Sequence, residues 1–359
     1  MSLFLKIIDF FSQSLNPVLI VVIIATLFFL LFSLFFAVYS IILRLRFYRR
    51  EKRRKILEAQ WKPVVLKVLS GSEKPETLIE GVLKRDQLLF VDYIMRYALR
   101  LRGEEQKTVA RLAEPFLDRL FHRLIHGDTE RRSRAVQTLS VLGFDRNADT
   151  IIAALDDPSQ LVAIVAIHAL ASKEHSQYID VVLERLHRFE NWNAGYIASK
   201  LAGVGPKIAP ALRKKYANTA VSSKVRVILA ESLRLLRDYA AADIAAEILS
   251  RETDRDLLSA SLRLLATRGR IEHLGVIRRH CENEDDIIRA QALRALGKLG
   301  DSGDLELLRS GLFSKSPWVV LHAAKGLVLA GGVEYLKQIS LTGIPQAEVA
   351  REVLREYER

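Results

Sequence analysis

The hydrophobic positions of this chain follow two different patterns along its length. From Val18 to Leu43 the sequence runs for 26 residues without a charge, and about 20 apolar residues suffice to cross the hydrocarbon core of a bilayer. Beyond residue 128, apolar positions instead recur at helical spacing, and the set repeats about every 31 residues. The first pattern predicts a transmembrane helix, and the second predicts a series of similar helical units.

The repeat is defined by two columns of apolar residues four positions apart. Such positions share one face of a helix, so the columns predict the buried stripe of a helix that recurs in every unit. A unit of this length exceeds one ordinary helix and shows no strand-like alternation, so each unit should hold two helices. The first column is Ala135, Ala166, Ile197, Leu229, Ala260, Ala292 and Ala323, and the second is Leu139, Leu170, Leu201, Leu233, Leu264, Leu296 and Leu327.

One copy of the repeat resembles a known family. Residues 285–301 read DDIIRAQALRALGKLGD, which is similar to the first helix and turn of a HEAT repeat. The short variety that also occurs in phycocyanobilin-lyase subunits is the nearest in pattern, and the resemblance covers roughly residues 128–344. It implies a right-handed α-solenoid of HEAT-like helical pairs. Together with the apolar run, the expected fold is all-α, with an N-terminal transmembrane helix before the solenoid.

In the HEAT family, the second helices of the pairs usually line the concave face, where partners bind. The resemblance therefore implies a set of candidate contact residues, and tyrosine and arginine are prominent among interface hot spots. An ordinary solvated helix face remains the alternative for each of them. The candidates are Tyr178, Glu184, Arg185, Arg188, Arg213, Tyr216, Asp243, Glu247, Arg278, Arg309, Tyr335 and Lys337.

These patterns divide the chain into five predicted segments. Helical but out-of-phase apolar positions between residues 61 and 127 are interpreted as degenerate repeats that cap the solenoid at its membrane end. The segments are an amphipathic stretch at 1–16, a transmembrane helix at 17–47, a basic juxtamembrane segment at 48–60, a divergent helical cap at 61–127 and the HEAT-like solenoid at 128–359.

The distribution of charge changes the meaning of the net charge of +12. Half of it falls between Met1 and Gln60, mostly in a cluster directly after the apolar run, and the remainder is diluted among interleaved acids. By the positive-inside rule, this flank places the N-terminus outside and the C-terminal domain in the cytoplasm, at an inner (plasma) membrane. The flank consists of Arg44, Arg46, Arg49, Arg50, Lys52, Arg53, Arg54 and Lys55.

Two alternatives to a span fit the apolar run less well. A cleaved signal peptide has an apolar region of roughly 7–15 residues, shorter than this run and without a basic stop-transfer flank behind it. A buried core helix is rarely apolar on all sides for so many turns. The single cysteine, Cys281, excludes a disulfide-built secreted fold and agrees with a reducing compartment.

Candidate chemistry is sparse. His122 and His126 are four apart on a predicted helix, and His273, His280 and Cys281 lie near an acidic run, but neither group has the full pattern of a metal site. No phosphate loop, dinucleotide fingerprint or nucleophile elbow is present. We therefore predict no catalytic residue, cofactor or metal, and no enzyme activity.

The functional hypothesis is a membrane-anchored scaffold or adaptor that binds a protein partner at the cytoplasmic face. Another membrane protein is the expected partner, with an envelope or polysaccharide-synthesis machine as one class. The alternatives are a lyase-like enzyme subunit acting on a tetrapyrrole or a protein, which rests on the family resemblance, and a nucleic-acid-binding solenoid. Nucleic acid is disfavoured because acids are interleaved with the basic residues.

Overall fold

A computed structural model describes residues 17–172 and 174–357, and this described part is helical and contains no strand. The chain divides into two compact units, Met1–Phe116 and Leu117–Arg359. The predicted amphipathic segment at 1–16 lies outside the described residues. The unit boundary falls short of the predicted end of the cap at residue 127, because the helix Asp118–His126 packs within the second unit.

The described part of the first unit contains four helices: α1 (Pro17–Leu69), α2 (Pro75–Glu80), α3 (Gln87–Ala98) and α4 (Glu104–Ala113). Helix α1 is continuous for 53 residues and crosses two predicted boundaries, those at residues 47 and 60. No glycine interrupts the sequence there, and the basic flank is built from good helix formers. Length and apolar composition make α1 capable of crossing a membrane, and its apolar stretch from residue 21 is exposed.

The far end of the same helix supplies core residues to the first unit. Trp61, Val65 and Val68 are buried, and the Trp61 ring packs edge-on against Phe90 with 5.1 Å between ring centroids. Phe90 in turn meets Phe116 edge-on at 5.6 Å. Such aromatic pairs bury large surfaces, so one helix carries both an exposed apolar run and a packed core face.

Within the described residues, the second unit consists of a lone helix, seven helical pairs and a final helix. We name the first member of each pair the first helix and the other the second helix. After α5 (Asp118–His126) come α6 (Thr129–Leu142), α7 (Phe144–Ala153), α8 (Gln160–Leu170), α9 (Ile179–Glu184), α10 (Ala194–Val204), α11 (Ala209–Ala217), α12 (Ser223–Leu235), α13 (Ala241–Arg251), α14 (Arg255–Arg268), α15 (Leu274–His280), α16 (Asp286–Leu299), α17 (Leu305–Leu312), α18 (Pro317–Leu329), α19 (Val333–Ser340) and α20 (Gln346–Tyr357).

The two predicted columns form the buried seam of the first helices. All seven residues of the leucine column are completely buried, and those of the first column are at most 1% exposed. From α10 onward each first helix packs against the next, through α12, α14, α16 and α18 to α20. Burying a leucine contributes about 1.5–3 kcal/mol, so this layer is the main apolar core. The all-α solenoid predicted from the columns is confirmed.

Polar side chains fix where the first helices begin. Asp128, Asn193, Ser222, Asp254 and Asp285 each accept a hydrogen bond from a backbone N–H in the first turn of the following helix. Such caps satisfy amide groups that have no partner inside the helix. They define the start of these five first helices.

Helices α16 and α18 approach each other unusually closely. A Cβ added to Gly297 would lie 2.2 Å from the Cα of Gly326, and one added to Gly326 would lie 3.1 Å from the carbonyl oxygen of Leu293. Two glycines are therefore required where the backbones meet. This contact also fixes the register of α18 against α16, because Gly326 lies against both Leu293 and Gly297. Equivalent positions of the two repeats, such as Ala295 and Gly326, therefore stand side by side.

Candidate functional site

The second helices form their own layer, in which α9 packs on α11, α11 on α13, and α13 on α15. This layer holds the surface that the family resemblance assigned to partner binding. Most candidate residues here have contacts with an adjacent repeat. We call a contact from one second helix to the start of the next an inter-repeat clamp.

Three clamps have clear geometry. Arg213 pairs with Asp238 at 2.5 Å, and Arg278 donates to both carboxylate oxygens of Asp304 at 2.6 and 3.1 Å. In the last pair the guanidinium of Arg309 lies over the Tyr335 ring, 4.6 Å from its centroid. The Arg278 bonds hold the pKa of the Asp304 carboxyl below its ordinary value. These side chains stabilise the stacking of the repeats.

Candidates in the second repeat reach back to the first. Arg185 donates to Asp156 at 3.0 Å, and Arg188 donates to the backbone carbonyls of Leu155 and Asp157. Tyr178 is half-buried, with its ring 5.6 Å from that of Phe144. Arginines bonded in this way are held in one geometry and expose only part of their surface.

Tyr216 occupies a different place from the other candidates. It is completely buried, and its hydroxyl lies 2.8 Å from the hydroxyl of Ser261. Burial raises the pKa of this phenol well above its usual value. Tyr216 is therefore a core residue and does not belong to a surface that a partner could contact.

Between α13 and α15 the clamp has the opposite polarity, because the carboxylate of Asp243 on α13 accepts from Arg270 and His273 at the start of α15. Further along α13, Glu247 pairs within its own helix with Arg251 at 2.6 Å. A groove of about 560 Å³ opens here, which we call the α13–α15 groove. Gly275 has nothing within 4 Å of its missing Cβ and leaves space in the wall. The lining residues are Ala246, Glu247, Ser250, Glu272, His273, Gly275, Val276 and Arg279.

One end of the groove holds a network of charged side chains. The ligand atoms of Asp243, Glu272 and His273 lie within 4.8 Å of one another. Arg270 binds both carboxylates at 2.7 Å, and its backbone N–H donates to Nδ1 of His273 at 3.0 Å. Since Nδ1 accepts, Nε2 carries the proton and donates to Asp243 at 2.9 Å.

These bonds account for the cluster without a metal ion. Both imidazole nitrogens and both carboxylates are engaged, and the hydrogen bond from His273, with Arg270, lowers the pKa of Asp243. The set caps the turn that leads into α15. A free lone pair on His273, which a metal would need, is lacking in this tautomer.

The histidine and cysteine group considered from sequence is not brought together. His273 and His280 stand at opposite ends of α15, about 10 Å apart by the helical rise, and His280 bonds to the carbonyl of Leu249. Cys281 is buried, and burial raises the pKa of its thiol to about 12. The rings of His122 and His126 lie together at 4.8 Å between centroids, and they belong to no cluster of three potential ligands among the described residues.

The basic flank has a second role besides charge. Arg53 pairs at 2.8 Å with Asp86, which is buried at the start of α3, and Arg54 pairs with Glu51 at 2.8 Å and Glu58 at 3.3 Å. The other members, Arg44, Arg46, Arg49, Arg50, Lys52 and Lys55, lie on exposed turns of α1. The sequence pattern showed the cluster but not that Arg53 binds within the first unit.

Arg226 and Arg263 have structural roles. Arg226 is 3% exposed and binds Glu252 at 2.5 Å and the carbonyl of Tyr216. Arg263 binds Glu231 of the preceding repeat at 2.6 Å. Both tie neighbouring segments of the solenoid together.

Comparison with solved structures gives distant likenesses. An engineered protein matches at 18% identity with a TM-score of 0.33, covering 58% of this chain and 96% of that one. The karyopherin Kap121p, bound to the extreme C-terminus of the protein phosphatase Cdc14p, matches at 12% identity with a TM-score of 0.38. The match covers 75% of this chain and 41% of that one. A second crystal structure of Kap121p matches at 13% identity with a TM-score of 0.35, covering 78% of this chain and 42% of that one. The chain thus spans less than half the length of Kap121p.

Comparison with sequence families adds one match. No curated relative matches the chain. Residues 242–328, which run from α13 through most of α18 and include the α13–α15 groove, match the family model of HEAT repeats. The likeness to HEAT repeats is thus shown for these 87 residues, where regular helical pairs are stacked.

Proposed function

We propose that the protein is a non-catalytic scaffold, anchored in a membrane by α1, whose solenoid binds a protein partner on the cytoplasmic side. The observation that supports partner binding best is the α13–α15 groove, a cavity of about 560 Å³ between two second helices. Side chains there are not all committed to holding repeats together, and the groove is large enough for several side chains of a partner. Glu247, Glu272 and Arg279 offer charges of both signs.

The anchor is supported by the exposure of α1 and by its basic flank. Apolar side chains between residues 21 and 43 are 42–66% exposed, a large surface that water disfavours. The flank would lie at the cytoplasmic headgroups, which favours N-terminus out. Anchoring raises the effective concentration of the solenoid near other membrane proteins, so we propose another membrane protein as the partner. An envelope or polysaccharide-synthesis machine is our hypothesis for its class.

The anchor is tested by fractionation and topology. We expect the full chain to stay in membranes after alkaline carbonate extraction and a chain lacking residues 21–43 to become extractable. Reporters fused after residue 60 should be active only when they function in the cytoplasm. A cleaved signal sequence would instead shorten the mature chain and release it, and this result would overturn the anchor.

The partner surface is tested by site-specific photo-crosslinking in cells. We expect a crosslinking amino acid at Glu247 or Arg279 to give one reproducible adduct. The same amino acid at Gln137, exposed on a first helix, is the matched control. Equal adducts at Gln137, or none at the groove, would contradict binding there.

A further inference from the structure

The outer side of the first-helix layer carries an unusual set of polar residues at α16 and α18. His322 is 7% exposed, and neither of its ring nitrogens has a hydrogen-bond partner among the described residues. Gln291 is also 7% exposed, and its Oε1 lacks a partner there. The two positions are one repeat apart, so the register fixed by Gly297 and Gly326 sets them side by side. A buried polar group without a partner is costly, and two together call for an explanation.

The groups around this pair are cationic. Burial lowers the pKa of His322, and the positive charges of Arg294 and Lys325 lower it further, to about 4. Partial burial lowers the pKa of Lys298, and repulsion from Arg294 and Arg234 lowers it further. At neutral pH the imidazole is therefore uncharged, and it can donate one hydrogen bond and accept another.

Acids near these cations are few and already engaged. Lys325 pairs with Glu356 at 2.7 Å, and Glu231 pairs with Arg234 and Arg263. Within the described part of the chain, Arg294 and Lys298 are exposed and have no recorded ion pair. The surface thus has unneutralised positive charge directly beside unused hydrogen-bonding atoms.

An exposed aromatic ring borders the same place. Trp318 is 49% exposed, and its indole meets the His322 ring edge-on with 4.7 Å between centroids. Its free face can receive an apolar side chain. We call the surface formed by Gln291, Arg294, Lys298, Trp318, His322 and Lys325 the α16–α18 patch.

We propose that the α16–α18 patch is a second binding site, which takes a short acidic segment of a partner protein with an apolar residue placed against Trp318. Carboxylates of the segment bind Arg294 and Lys298, and the segment supplies the missing hydrogen bonds of His322 and Gln291. The site lies on the first-helix layer, so it is independent of binding in the α13–α15 groove. A peptide fits better than nucleic acid, because Arg234 and Arg263 of the preceding repeats are neutralised by Glu231, so the uncompensated positive charge does not continue along the solenoid.

The test uses the full chain in detergent micelles and a fluorescein-labelled heptapeptide with acidic residues around a central phenylalanine. We expect binding by fluorescence anisotropy and none for the same peptide with lysines in place of the acids. The double variant Arg294→Glu, Lys298→Glu should bind about tenfold more weakly or worse. The double variant Lys207→Glu, Lys214→Glu, an equal charge change at two exposed lysines in and just before α11, is the control and should bind normally.

His322→Phe separates a binding role from a packing role. Phenylalanine keeps the ring beside Trp318 and removes the unpartnered nitrogens, so we expect an equal or higher melting temperature together with about tenfold weaker peptide binding. His322→Gln, which keeps a hydrogen-bond donor, should bind better than His322→Phe. Unchanged affinity in His322→Phe or in the double charge variant would overturn the site. Preferential binding of anionic lipid vesicles or single-stranded DNA would overturn the choice of a peptide.

Discussion

The two layers of the solenoid hold neighbouring repeats together by different physical means. First helices contact one another through a dry seam in which every column leucine is fully buried, and α16 meets α18 backbone to backbone. Second helices are joined by ion pairs such as Arg278–Asp304 and by the Arg309–Tyr335 contact. Apolar packing tolerates little change in volume, whereas ion pairs at a surface contribute modestly. Most of the free energy of unfolding should therefore come from the first-helix layer, and substitutions in the second-helix layer should cost less.

The largest loss of stability should follow a change in the seam. Leu296→Ala removes a completely buried side chain and should lower the free energy of unfolding by about 2–5 kcal/mol, measured by urea unfolding followed by circular dichroism. Leu329→Ala on α18, where the leucine is 56% exposed, is the control and should change little. Similar losses in both variants would refute the proposed difference between the layers.

A second change tests the close approach of α16 and α18. Gly297→Ala places a Cβ 2.2 Å from the backbone of Gly326, and relieving such a contact should cost about 1–3 kcal/mol despite the better helix propensity of alanine. Gly203→Ala on α10 meets nothing within 4 Å and should stabilise by up to about 1 kcal/mol. If Gly297→Ala proves equally stabilising, the helices do not pack as described.

Breaking a clamp should have a smaller effect that depends on pH. Asp304→Asn weakens the bonds with Arg278 and should cost about 1–3 kcal/mol at pH 7. The folded pKa of Asp304 lies below its unfolded value, so its contribution is full above the ordinary carboxyl range, near pH 4, and is lost as the pH falls through the folded pKa. The free energy of unfolding of Asp304→Asn, measured by urea unfolding, should therefore depend less on pH in acid than that of the unmodified chain. The control Glu306→Gln, at a largely exposed carboxylate of α17, should show the pH dependence of the unmodified chain.

The smallest effect on stability is expected in the α13–α15 groove. Glu247→Ala removes a half-exposed carboxylate that pairs with Arg251 of its own helix, so the free energy of unfolding should change by less than about 0.5 kcal/mol. Partner crosslinking from Arg279 should nevertheless fall in this variant. A large loss of stability would show that Glu247 belongs to the packing of the repeats.

The periodic part of the fold could be predicted from sequence, because leucines that recur at one spacing report directly which face is buried. The clamps could not be predicted with the same ease. Their signal is an arginine followed 25 or 26 positions later by an aspartate, as in Arg213–Asp238 and Arg278–Asp304, and that spacing has meaning only when the stacking register is known. Which side chains pair between neighbouring repeats depends on this register, and the residue pattern within one repeat does not reveal it.

The candidate surface shows the same limit. Residue type suggested Tyr216 as a contact, but whether a tyrosine on a helix faces solvent or core depends on the neighbouring helix, and here it lies beside Ser261 of α14. The α13–α15 groove could not be predicted, because it opens where two residues with small side chains, Gly275 and Ala246, line facing helices. Sequence alone does not show that these two positions face each other. The unpartnered nitrogens of His322 were missed because unmet hydrogen bonds exist only in three dimensions.

Helix α1 has a mechanical consequence for the first unit. Its exposed apolar end and its buried end at Trp61 and Val65 belong to one rod of 53 residues, about 80 Å long at the helical rise. A rotation or tilt imposed on one end is transmitted to the aromatic core at the other. The rod has one weak joint, Pro63, which cannot donate a hydrogen bond to the carbonyl of Ala59. Bending of the first unit relative to its own apolar end should therefore concentrate at that turn.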